Sequence, residues 1–137
     1  MQKRLVYVEL KSGHGHTGPA WIGFAKPSKS GLTLYFNGLA LKSLKGSGIS
    51  CNYFDVLTGD EYWISGVKKN AMDRHWAGGG DVLIDEAAVT EYLEATKRSA
   101  LPKHIRITQL EPSIQRAEHR NYEDGKDVVK LPDRYPY

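Results

Sequence analysis

The sequence predicts an α+β domain: a small, strongly curved antiparallel β-sheet or barrel of five to seven strands, with one helix and an extended C-terminal arm. Three observations carry that expectation. Short runs rich in β-branched and aromatic residues recur between glycine-rich joints, Asn37-Gly38 stands between two apolar runs, and a single stretch has a helical apolar face. The 137 residues divide into a β-rich domain, residues 1–110, and an arm or tail, residues 111–137. No period of roughly 20–50 residues repeats, which excludes solenoids and propellers.

The first strand is Leu5 to Leu10, ending at Ser12-Gly13. A loop with His14, Gly15, His16 and Gly18 leads to a second strand, Ala20 to Ala25, and Pro27 to Gly31 make the next turn. Leu32–Phe36 and Leu39–Leu41 flank Asn37-Gly38. Both central residues of a two-residue hairpin turn need positive φ, which Asn and Gly tolerate, so a tight hairpin is expected there. Lys42 to Gly48 is too rich in glycine to hold a strand throughout. Ile49–Val56 and Glu61–Val67 form two more strands, and the loop 68–80 ends in three glycines. Trp63 and one of Tyr53 or Phe54 belong to the core in either register.

Val82-Leu83-Ile84 is a short strand running into the helix, expected over about 86–99. Asp85 caps its free N–H groups, and Glu86 places negative charge at the positive end of the dipole. Val89, Tyr92, Leu93 and Thr96 fall on one face to be buried. Pro102 forbids continuation, and Ile105–Thr108 reads as a last strand. From Glu111 onward eleven of 27 residues are charged, yet Ile114, Val128, Val129 and Leu131 are scattered among them. A disordered tail carries fewer such residues. The arm is therefore read as lying over its own barrel or over a partner subunit, giving a homo-oligomer, with a frayed terminus as the other reading.

Composition sets the address. No apolar run reaches the ~18 residues of a membrane span, and charge returns too early, at Glu9, for a signal peptide. One cysteine, Cys51, excludes an intrachain disulfide framework. A cytoplasmic protein without membrane contact is expected. The net charge of +3 is uneven: residues 1–76 hold ten Lys/Arg against five Asp/Glu, and residues 77–101 hold two against five. A basic N-terminal half points to an anionic partner.

Catalytic and cofactor templates fail. No phosphate-binding loop, dinucleotide fingerprint, zinc-protease helix or nucleophile elbow can be placed. Lys45-Gly46-Ser47-Gly48 lacks the strand-to-helix setting of a phosphate loop. His14 and His16 could face one ion, but two ligands do not fix a metal, and a solvent loop explains them better. Asp73 and His75 would need loop geometry to orient a hydroxyl such as Ser65 or Tyr53, and Cys51 reads as an inert packed residue. No catalytic residue, metal or cofactor is assigned.

The better constellation interleaves aromatic and basic side chains: Tyr35, Lys42, Lys45, Tyr53, Tyr62, Trp63, Lys68, Lys69, Arg74, His75 and Trp76. The candidate ligand-binding residues among them are Tyr35, Lys45, Tyr53, Lys68, Lys69, Arg74, His75 and Trp76. Rings on a curved sheet stack bases, and cations at its rim neutralise phosphates. The competing explanation is that aromatics at period two are simply strand residues.

One connected pattern covers about a third of the chain, from Ser28 to Arg74. It comprises Ser28-Lys29-Ser30-Gly31, Leu34-Tyr35-Phe36, Ser43-Leu44-Lys45-Gly46, Asn52-Tyr53-Phe54-Asp55, Thr58 to Gly66, Lys68-Lys69 and Asp73-Arg74. This stretch resembles a family of small, uncharacterised bacterial proteins. The resemblance implies a compact bacterial domain, assigns no activity and stops short of the arm.

The functional expectation is a non-catalytic binding module, for nucleic acid through the aromatic and basic face. The alternative is a protein-interaction module, an adaptor or inhibitor, that meets an acidic protein surface. A small enzyme ranks third.

Overall fold

Alternation along the first strand decides the architecture. Val6 and Val8 point to one side and Tyr7 to the other, and all three are buried, so this strand needs cover on both faces. The computed structural model, which describes residues 3–14, 18–44, 51–70 and 81–122, places a barrel on one side and a helix on the other.

Six antiparallel strands close the barrel: β1 (Arg4–Leu10), β2 (Ala20–Pro27), β3 (Thr33–Phe36), β4 (Leu39–Ser43), β5 (Tyr53–Asp55) and β6 (Glu61–Gly66). Each pairs with the next, and β6 returns to β1 with Val6 opposite Gly66 and Leu10 opposite Tyr62. The lumen is filled by Val6, Val8, Ala25, Leu34, Phe36, Leu41, Tyr62 and Ile64. The hairpin at Asn37-Gly38 is as expected, with φ of 49° and 77°.

Two further strands, β7 (Val82–Asp85) and β8 (Ile105–Thr108), extend the sheet from β2. They run parallel to β2 and to each other, unlike the barrel strands. The reason is the helix between them, since parallel neighbours require a long crossover. One edge of β2 is taken by β1; on the other, Trp21 and Ile22 pair with β7, and Lys26 and Pro27 with β3.

The helical segment is shorter than the expected 86–99. It starts as a 3-10 turn, Glu86–Ala88, capped by the Asp85 carboxylate, which accepts from the Ala87 N–H. It continues as α1, Val89–Thr96. Lys97 turns left-handed at φ 55°, and the Arg98 N–H donates to the Leu93 carbonyl. Ala88, Tyr92 and Thr96 form the buried stripe, while Val89 and Leu93 flank it half-buried. The stripe meets Tyr7, Ala20, Ile22, Val82 and Ile84 on the outer side of the sheet. Trp63 packs in this outer layer, half-buried, and Phe54 is buried in a third cluster with Tyr35 and Cys51.

The first part of the arm lies over the barrel. Leu110 packs against the lumen cluster beside Gly23. The Glu111 N–H donates to Asn37 Oδ1 at 2.9 Å, and Ser113 Oγ to the Phe24 carbonyl at 2.6 Å. A 3-10 helix, Ala117–Tyr122, follows, with His119 buried. Val128, Val129 and Leu131 lie outside the described residues. No helix among the described residues is long and apolar enough to cross a membrane.

Candidate functional site

In an up-and-down barrel, the starts of odd strands and the ends of even strands share one rim. That parity sorts the charge of this barrel. Lys3 and Arg4 stand at the start of β1, Lys26 and Lys29 at the end of β2, Lys42 near the end of β4, and Lys68 and Lys69 just after β6. The carboxylates fall on the other rim: Glu9 near the end of β1, Asp55 at the end of β5, and Asp60 and Glu61 at the start of β6. Seven of the eight described cations in residues 3–70 therefore lie on one rim, and none of the four carboxylates does.

The exception is Lys11, which sits among the carboxylates and is neutralised there. Its ammonium is 2.8 Å from Glu9 Oε2, and the Tyr7 hydroxyl donates to Glu9 Oε1 at 2.6 Å. Glu9 is 1% exposed. A buried carboxylate needs such partners, so this network is structural.

Tyr53 opens β5 and so stands towards the basic rim, its ring half-buried against the lumen cluster. Burial pushes its phenol pKa up, and the nearby Arg4 charge works in the opposite direction. Tyr62, directly across the ladder, is the second residue of β6 and is buried in the same lumen cluster. Burial first, then the Asp55 and Asp60 charges, push its pKa up to about 12. Tyr53 thus feels a cation of the basic rim, and Tyr62 two carboxylates of the other. Arg98, just past the end of α1, adds a further cation to the basic side, because its Nη2 donates to the Asn70 carbonyl at 3.3 Å, next to Lys68-Lys69.

The expected site residues are only partly assembled. Lys68 and Lys69 are exposed on the basic rim, and Tyr53, at the start of β5, feels the charge of Arg4. Tyr35 is a correction: opposite Ala40 in the ladder, it faces away from the lumen and is buried with Ala40, Leu44 and Phe54. Its ring is consumed by packing and offers no stacking surface. Lys45, Arg74, His75 and Trp76 lie outside the described residues, as does His16. Among the described residues no group of three or more His, Cys, Asp or Glu side chains could hold a metal.

Lys3, Arg4, Lys26 and Lys29 lie outside the stretch in which aromatic and basic residues interleave, so that pattern does not reach them. Strand-end parity was the available signal. Comparison of the chain with family models, with curated proteins and with solved structures finds no match.

Proposed function

We propose that the domain is a non-catalytic binding module for nucleic acid, holding the phosphate backbone on the basic rim. The observation that carries this reading is the charge partition within residues 3–70: seven of the eight described cations on one rim and the four described carboxylates on the other. A rim of one sign draws an anionic polymer to that end and repels it from the opposite one. Tyr53 supplies a ring on which an unpaired base stacks. The proposed setting is the cytoplasm, in keeping with the single cysteine.

The test titrates fluorescent single-stranded and duplex oligonucleotides at several salt concentrations. Replacing Arg4, Lys68 and Lys69 by Ala removes up to three phosphate contacts. The slope of log affinity against log salt becomes shallower by ~0.9 per lost contact on duplex and ~0.7 on single strands. Tyr53→Leu weakens single-strand binding by about 1–3 kcal/mol and leaves the slope nearly unchanged, because a ring neutralises no phosphate. A wild-type protein that binds neither form at low salt rules the reading out. The same rim then serves an acidic protein surface.

A further inference from the structure

Beside the basic rim, where the arm crosses β2, lies an open cleft of about 280 Å³ lined by Phe24, Lys3, Lys26, Asp85, Glu111 and Ser113, among others. Its volume is near the low end of small-ligand sites. Its floor is the half-buried Phe24 ring, with the Lys3 ammonium 4.4 Å from the ring centroid. A cleft lined by two lysines, two acidic residues and one aromatic ring suits a ligand that is itself flat, anionic at one end and donor-rich at the other. A nucleotide has that form.

We infer that this cleft is a base-reading subsite that selects guanine in the bound strand. The inference rests on the nucleic-acid reading of the basic rim and adds sequence preference to it. The base stacks on Phe24 in place of the Lys3 ammonium, an exchange open to an exposed lysine. Lys3 and Lys26 then take the flanking phosphates, continuous with the rim.

The carboxylates have different duties. Asp85 already holds structure: its Oδ1 accepts from the N–H groups of Ala87 and Leu110, which fixes the helix start and the arm together. Glu111 is the reader. Its backbone N–H is held by Asn37 and its Oε1 by Arg116 Nη2 at 3.1 Å, so the side chain is anchored while remaining 65% exposed. A carboxylate offers two adjacent oxygens and accepts only. Among the bases, guanine alone presents two neighbouring donors, N1–H and N2–H, to such a pair. Thymine has one donor there, and adenine and cytosine set an acceptor beside their amino group.

Short oligothymidines carrying one central dG, dA, dC or dT test this with wild type and three variants. Wild type binds the dG strand roughly fivefold or more above the others. Phe24→Leu and Glu111→Gln abolish the preference, and Phe24→Tyr, which keeps the ring, retains it. Thermal melting checks the fold of each variant; if Phe24→Leu is unfolded, the exposed Glu111→Gln decides. Equal binding of all four strands overturns the inference and leaves the basic-rim reading standing. A dG preference untouched by the folded variants also overturns it, by placing the reader elsewhere. No binding of any strand at low salt overturns both.

Discussion

The side-chain amide of Asn52 holds both backbone groups of Ile64. Its Nδ2 donates to the Ile64 carbonyl at 2.7 Å, and its Oδ1 accepts from the Ile64 N–H at 2.8 Å. Strand β5 is only three residues long, so the side chain lengthens the ladder where the main chain does not. An amide is the group that can do this, having a donor and an acceptor side by side.

Asn52→Ala leaves a carbonyl and an N–H of β6 without these partners. It lowers stability by about 1–3 kcal/mol, the cost of an unsatisfied buried polar group. Asn52→Asp keeps the acceptor but loses the donor, and so recovers only part of that loss above the carboxylate pKa. Urea denaturation midpoints compare the three proteins; unchanged midpoints would show that the side-chain ladder carries no stability.

Gly23 is required by close approach. A Cβ there would lie 2.9 Å from Leu110 Cδ1 and 3.2 Å from Phe36 Cε1. Gly23→Ala therefore pushes Leu110 out of its seat and destabilises by roughly 1–3 kcal/mol, as overpacking does. Faster proteolysis within the arm, at sites after Leu110, is the accompanying readout.

Tyr92, fully buried at 0% exposure, is the anchor of the helix. Tyr92→Ala costs about 3–5 kcal/mol, in the range for a large aromatic. Leu93, only half-buried, costs at or below the ~2 kcal/mol lower end for a buried leucine. Chemical denaturation ranks the two, and the reverse order would mean that the helix is rotated about its axis.

Tyr62 couples stability to alkaline pH. Its folded pKa, about 12, is above the ordinary 10.0, so the folded state holds this proton more tightly than the unfolded chain. The contribution is whole below pH 10 and is lost as pH rises from 10 towards 12. Tyr62→Phe flattens the stability–pH curve in that window. An absorbance titration of phenolate in the folded protein, with one tyrosine fewer ionising late in the variant, gives the direct check.

Much of the architecture was legible because it is local. Asn37-Gly38 is a turn by the φ values its two residues accept, and Asp85 caps a helix start by the reach of its carboxylate. The strands followed from alternation, apart from β5, whose short main-chain ladder depends on the Asn52 side chain. The site was less legible. Tyr35 and Tyr53 look alike in sequence, yet pairing opposite Ala40 buries one ring and pairing opposite Tyr62 sets the other at the barrel mouth.

Most of the strands, the Asn37-Gly38 hairpin, the start of the helical segment at Asp85 and the excess of cations in the N-terminal half can be read from the chain alone, since each depends on neighbours within a few residues. That Lys3, Arg4, Lys26, Lys42 and Lys68 share a rim, and that β7 and β8 run parallel to β2, follows from the closed fold. So does the crossing of Glu111 to Asn37, 74 positions away. Those relations depend on which strand ends meet when the barrel closes. Closure is set by the summed burial of lumen side chains from all six strands, a quantity no short window of sequence contains.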